Sequence, residues 1–285
     1  GLINSHNTTQ ASMASNIGLC AIADAAKEMG YHNAISNASD IYSANSFQPP
    51  MTIGTVQASP LTMANVYATM GANGVECTPI AITKVTDRSG SKVKVPSANC
   101  HQAIDPDIAQ TVSYALNQGV VQPGGEASTT QLDNNRKTFA KTGTNENTVM
   151  TTAGFVPNQV AAFVAVADAQ DPINNTFDNK TINGVYRPSW YGMYIATPAW
   201  KQFMNTYLAA INAPIDNDYG KGADKYTVSK GATRTYNQYQ YQRQQNSQQQ
   251  SQQQSQQQGQ QQTNQGQQQQ SQQQPAEQQS DQQHQ

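Results

Sequence analysis

The chain is poor in charge. Only 12% of its 285 residues are Asp, Glu, Lys or Arg, and the formal net charge is -2. A nucleic-acid-binding surface needs clustered Lys and Arg, so this composition argues against such a partner. Apolar runs are short as well: none approaches the ~20 residues that a membrane-spanning helix requires. No signal-peptide pattern is visible, and the chain opens on Gly1-Leu2-Ile3 rather than on Met. The true N-terminus, with any targeting segment, is therefore expected to lie outside these residues. Cysteine is scarce, with Cys20, Cys77 and Cys100 alone. No Cys/His spacing typical of zinc occurs and no phosphate-cradling glycine loop, so neither a metal nor a cofactor is expected. Cys77 and Cys100 flank a segment that reads as a hairpin; a disulfide in an oxidising compartment and a pair of buried free thiols are both compatible with it. Cys20 falls in a helical apolar pattern and reads as a small core residue.

The mean hydropathy of -0.69 averages two unlike parts. From about Tyr236 the chain is nearly all Gln, with Ser, Asn and Gly between. Such a segment has too little apolar surface to offset its ordering entropy. Residues 236–285 thus read as a disordered tail, 214–235 as a linker and 1–213 as the folded domain. A flexible spacer is the simplest role for the tail, and self-association is open to Gln-rich tracts.

Within the folded part, Thr8 and Thr9 are good helix caps before a run that passes Met13 and Ile17 to Gly18. A second helix fits residues 19–29, with Gly30 as its stop. Residues 31–50 are loop-like. Ser59-Pro60 pairs a natural cap with a natural first helical residue, and Leu61, Ala64, Tyr67 and Ala68 mark the buried face of the helix that follows. Residues 79–85 alternate like a strand, Asp87 to Gly90 form a turn, and 92–95 return. Asp105-Pro106 opens a helix with Ile108, Val112, Ala115 and Leu116 on one face and Gly119 at its end. Three strands follow, the first around Lys141, then 151–156 and 159–167. The last is apolar on both faces and so is expected to be covered on both sides. Thr197-Pro198 reads as the cap of a closing helix with Trp200, Phe203, Met204, Tyr207, Leu208 and Ile211 toward the core. Helices first, consecutive strands next and a helix last give an α+β fold, an antiparallel sheet covered by helices.

The chemistry gathers on Lys141-Thr142-Gly143-Thr144. An ammonium, two hydroxyls and a residue without a side chain suit a strand edge that lines an acyl-transfer site, where the glycine lets a ligand or helix approach the backbone. Upstream stand Ser5-His6-Asn7 at a helix start, then the block Gly54-Thr55-Val56-Gln57-Ala58-Ser59-Pro60-Leu61-Thr62-Met63-Ala64 followed by Tyr67-Ala68-Thr69-Met70 and Gly74. Pro79-Ile80, the Asp87 to Gly90 turn and Val120-Val121 before a glycine pair complete the order. Together they resemble the transpeptidase domain of class A, bifunctional penicillin-binding proteins, and the resemblance spans residues 1–211. The Lys-Thr-Gly and Ser-x-Asn elements are shared with serine β-lactamases, whereas the block at 54–70 is not.

The resemblance implies a peptidoglycan D,D-transpeptidase of penicillin-binding-protein/β-lactamase-like fold. Its partners would be stem peptides ending in D-Ala-D-Ala and the β-lactams that mimic them. Carried over residue by residue, Ser5 would relay a proton toward the leaving amine and Asn7 would hydrogen-bond the substrate backbone. Lys141 would supply positive potential and hold the relay; these three are the catalytic candidates. Thr142 and Thr144 would bind the substrate carboxylate, Gly143 would give access, and the amide of Asn145 would be one oxyanion donor. The strand would pair with the substrate as an added strand. The nucleophile of this family lies in a Ser-x-x-Lys motif upstream of Ser-x-Asn, so it is expected to be missing here, the domain N-terminally truncated and this fragment inactive alone. The matches at Ser89/Lys92 and at Ser91/Lys94 fall in a turn and strand, where serine and lysine cannot share a helical face at spacing three. Another departure is Ala153-Gly154-Phe155, where the family usually shows Trp-Phe-x-Gly. The full-length parent would be membrane-anchored through its missing N-terminal part, on the cell-wall side of the membrane. The alternatives are a non-catalytic remnant or binding module, and a D,D-carboxypeptidase or β-lactamase-like hydrolase.

Overall fold

Three antiparallel strands form the centre of the chain. The computed structural model describes residues 1–34, 41–42, 47–223 and 225–226. Residues Gly1–Thr227 make up one unit. The tail from 236 lies outside the described residues, as do parts of the loop read at 31–50. Among the described residues the helices are α1 (Asn7–Ile17), α2 (Leu19–Glu28), α3 (Pro60–Gly71), α4 (Pro106–Val121) and α5 (Gly192–Ala210). The strands are β1 (Val75–Glu76), β2 (Val85–Thr86), β3 (Lys92–Val93), β4 (His101–Gln102), β5 (Phe139–Asn145), β6 (Val149–Val156), β7 (Val160–Ala167), β8 (Lys180–Ile182) and β9 (Val185–Arg187). No helix among the described residues is long and apolar enough to cross a membrane.

The main sheet runs β5-β6-β7, antiparallel throughout, so β5 is an edge strand. Its register pairs Lys141 with Ala153 and Gly143 with Thr151. One face of the sheet carries Phe139 and Phe155, stacked at 5.0 Å, which pack with Met70 of α3 and Leu116 of α4. The opposite face carries Ala140 and Ala162 and is covered by Trp200, Met204 and Leu208 of α5. Gly154 fits there because an added Cβ would lie 2.7 Å from the Trp200 ring. The β6–β7 turn is fixed by α3, whose Gly71 carbonyl accepts from the Asn158 amide at 3.1 Å.

Several sequence expectations need correction. The helix at residue 7 is capped by His6 rather than by Thr8 or Thr9. On α3 the buried residues are Thr62, Val66, Thr69, Met70 and Gly71, while Leu61 is 63% exposed. On α4 they are Ala109, Ser113, Leu116, Asn117, Gly119 and Val120, and Ile108 and Val112 are exposed. The helix continues two residues past Gly119. Threonine and serine can hold these buried positions because their hydroxyls are bonded: Thr69 Oγ1 donates to the Asn65 carbonyl at 3.1 Å, Ser113 Oγ donates to the Ala109 carbonyl at 2.6 Å, and the Thr62 hydroxyl pairs with His32 Nε2 at 2.8 Å. The strand read at 79–85 shrinks to its last residue, because 79–84 pair with no neighbouring strand. Helices meet β7 on both faces, but its open edge leaves only Ala162 fully buried. α5 begins at Gly192, with Pro198 inside it, and Phe203, Tyr207 and Ile211 are exposed. Cys20 is exposed and free. Cys77 and Cys100 form a disulfide beside the β1–β4 pair.

Part of the segment after Ala213, read from sequence as the start of a linker, packs on the core through buried Tyr219 and Gly220. Tyr219 is buried edge-on against both Phe139 and Phe155. Its hydroxyl donates to the Met70 carbonyl and accepts from the Asn73 amide. Arg136 donates to the carbonyls of Pro214 and Ala213, and Lys137 to that of Tyr219.

Candidate active site

The site is built around β5. Phe139 and Ala140 anchor the strand in the core, and by strand alternation Lys141 falls on the α3/α4 side while Thr142 and Thr144 fall on the α5 side. At its far end the chain turns back through Glu146 and Asn147, both at positive φ. A Cβ at Gly143 would meet Thr151 Oγ1 at 2.3 Å, so a side chain there would force that hydroxyl to turn away.

The second wall is the start of the chain. Ser5 adopts φ +48 in a turn whose amide bonds run from Ser5 to the Leu2 carbonyl and from His6 to the Gly1 carbonyl. That turn leaves the Ser5 hydroxyl outside the helix cap. His6 is the capping residue, without a side-chain bond, and Ser5 Oγ accepts from Lys141 Nζ instead. Lys141 also donates to the Thr142 carbonyl at 2.7 Å. Asn7 opens α1 with an exposed side chain.

Glu126 joins the two walls, and the sequence reading missed it. Its amide donates to the Ile3 carbonyl at 3.1 Å, and its own carbonyl accepts from Thr142 Oγ1 at 3.5 Å. The preceding Gly125 makes this possible by lying against α4, where a Cβ would stand 2.2 Å from the Gly119 carbonyl oxygen. The glycine pair before an acid was the signal available in the sequence. Burial pushes the Lys141 ammonium below the ordinary lysine value, and the Glu126 carboxylate partly restores it. A lysine held this way is a better proton carrier than a solvated one, while it still brings positive potential.

Gly192 was missed as well. Its amide, the first of α5, donates to Thr144 Oγ1 at 3.0 Å. The hydroxyl proton of Thr144 stays available to an acceptor, and the residue is exposed. The positive end of a 19-residue helix therefore meets the strand end, beside Lys141 on the same strand. This arrangement favours an anion such as a carboxylate lying along β5. Asn145 is exposed at the end of the strand. The Ser89/Lys92 and Ser91/Lys94 matches sit on the exposed β2–β3 hairpin, where Asp87 binds the amides of Ser89 and Ser91.

Residues 1–204 match the family described as the penicillin binding protein transpeptidase domain. The chain is 30% identical over 167 residues to penicillin-binding protein 1A of Neisseria gonorrhoeae, a match covering 55% of this chain and 19% of that protein. It is 25% identical over 146 residues to penicillin-binding protein 1A of Aquifex aeolicus, covering 51% and 18%. Among solved structures it resembles PonA1 of Mycobacterium tuberculosis, with TM-score 0.61, 22% identity and coverage of 73% of this chain and 54% of that one. Penicillin-binding protein 1A of Haemophilus influenzae gives 0.59, 19%, 76% and 34%. The chain thus spans about a fifth of the length of the curated relatives it matches. With this match over most of its length, and with the Lys141 strand and the Ser5 turn brought together, the chain belongs to the family of penicillin-binding protein transpeptidase domains, of the class A kind.

Proposed function

We propose that these residues form the substrate-holding side of a peptidoglycan D,D-transpeptidase site. The observation that carries the reading is the bond from Lys141 Nζ to Ser5 Oγ, which joins two short motifs 136 residues apart. In the reaction a serine oxygen attacks the carbonyl between two terminal D-alanines. The bond to the last D-alanine breaks, and its nitrogen leaves as an amine carrying a proton. The amine of a neighbouring strand then takes the acyl group and frees the serine. Ser5, held by Lys141, passes the proton to the leaving nitrogen. Thr144 and Thr142 hold the terminal carboxylate, Asn7 the substrate backbone and the Asn145 amide the oxyanion. Gly143 keeps the strand surface open. A β-lactam would occupy the same place; the similar PonA1 of M. tuberculosis is known in complex with penicillin V. Among the described residues no Ser-x-x-Lys lies on a helix, and the expectation is that this chain by itself forms no acyl-enzyme. The whole protein would work outside the cytoplasmic membrane, attached to it.

A binding module without catalysis is the second reading, favoured by the exposed hairpin on which both Ser-x-x-Lys matches fall. A hydrolytic relative would differ by releasing the acyl group to water, and product analysis on a stem-peptide pair separates the two. The direct test of substrate holding is an amide NMR titration of the chain with a diacyl-Lys-D-Ala-D-Ala peptide. Saturable shifts at residues 141–145 are expected, reduced in Thr144→Val. Shifts absent from that strand at millimolar peptide would overturn the proposal.

A further inference from the structure

Between the β8–β9 hairpin and one side of α5 lies a groove of about 540 Å³. None of its lining residues belongs to the site described above. Ile182, Trp190, Tyr194 and Pro198 give it an apolar wall, and two cations, Arg187 and Lys201, enter it. No carboxylate lines it. The Arg187 guanidinium lies 3.8 Å from the centre of the Tyr194 ring and 5.2 Å from that of Trp190. Its Nε is buried, without a hydrogen-bond partner among the described residues. Lys201 has only a loose pairing with Asp133, at 3.9 Å, and that carboxylate is mostly exposed. The Tyr194 and Trp190 rings, edge-on to each other, hold the Arg187 guanidinium by cation–π contact, which uses none of its N–H donors.

We propose that this groove binds an acidic peptide segment that carries an apolar or aromatic side chain next to its carboxylate. The carboxylate would pair with Arg187 and Lys201, and the neighbouring side chain would lie on Trp190 and Ile182. The volume is that of a small-ligand site. An anionic membrane surface fits less well, because recognition of that kind uses clusters of 4–8 basic residues, and here two cations sit in a recess.

The test is calorimetric titration of the full chain with N-acetyl-Phe-Glu-amide and with its neutral isostere N-acetyl-Phe-Gln-amide. The acid is expected to bind at least about tenfold more tightly and to weaken in added salt. Arg187→Gln should cost a similar factor. Val185→Asp, at a half-exposed position on the groove, should repel the acid without disturbing the core. Equal affinities for the two peptides, no saturable binding of either, or undiminished binding by both variants would overturn the proposal. So would displacement of the peptide by phosphatidylglycerol vesicles, which would assign the groove to lipid. Because no residue of the Lys141 strand takes part, this result is independent of the stem-peptide titration.

Discussion

Replacing Gly192 by Ala sets two effects of opposite sign against each other. Intrinsic helix propensity favours Ala over Gly by about 0.8–1 kcal/mol in a helix interior, and by less at the first helical residue. Sterics oppose the change. The new Cβ would lie 2.3 Å from the Gly143 carbonyl oxygen and 2.6 Å from that of Thr151. Both are backbone atoms of paired strands and cannot rotate away. Ordinary contact begins near about 3.5 Å, so the start of α5 must retreat from β5 by roughly 1 Å. Overpacking of this sort costs about 1–3 kcal/mol. The retreat also stretches the 3.0 Å bond from the Gly192 amide to Thr144 Oγ1, a loss of about 0.5–1.5 kcal/mol. The sterics win, and the net expectation is a destabilisation of about 2 kcal/mol. For a domain of this size that lowers the melting temperature by about 4–8 °C, read by circular dichroism on the full chain. Thr144→Val, which removes the hydroxyl that accepts this bond but leaves the helix start in place, should cost about 1 kcal/mol. A Gly192→Ala variant as stable as the parent, or more stable, would refute the claim that close approach of α5 shapes the end of the Lys141 strand.

Two further outcomes follow from the packing around β5. Burial lowers the Lys141 pKa, so between that lowered value and the ordinary 10.5 the unfolded chain binds more protons than the folded one. This residue therefore makes stability rise with pH through that window, and below the window it imposes a constant cost. The stability of Lys141→Met relative to the parent should fall as pH rises toward 10.5, as read from urea midpoints at a series of pH values. A gap that stays constant or widens would contradict the burial of a charged lysine there. Tyr219→Ala removes a ring packed on Phe139 and Phe155 together with two hydrogen bonds. A loss of about 3–5 kcal/mol in chemical denaturation is expected, and a loss under about 1 kcal/mol would show that the segment after Ala213 does not hold the core.

What could be read from the sequence was chemistry carried by local motifs. Lys141-Thr142-Gly143-Thr144 looked like a strand edge and is one. Ser59-Pro60 and Asp105-Pro106 looked like helix starts, and both caps form, through bonds from the Thr62 and Asp107 amides. Apolar periodicity did less well, because this core uses hydroxyls. Thr62, Thr69, Ser113, Thr152 and Thr197 are buried with their hydroxyls bonded, Thr152 to Thr197 at 2.8 Å, so counting large apolar residues picked out exposed Leu61, Ile108 and Val112 in their place. Pro198 suggested a helix start, yet α5 starts six residues earlier, where Gly192 can rest on β5. Glu126, Gly192 and Tyr219 could not be assigned from local pattern. Each acts through a contact with a residue distant in sequence; for Glu126 the glycine pair before it marked a close turn but not its partners, and nothing beside Gly192 or Tyr219 announces theirs.

The central claim is that these residues hold and polarise a substrate while the attacking serine comes from elsewhere. Intact-mass spectrometry after incubation with a penicillin tests it most directly. The measurement is made on the 285-residue chain alone and on the same chain joined behind the upstream half of a class A relative's transpeptidase domain. No covalent adduct is expected on the chain alone. One adduct per molecule is expected on the joined protein, located on the relative's serine and lost in Lys141→Met. An adduct on the chain alone, or a joined protein that acylates equally well without Lys141, would contradict the account.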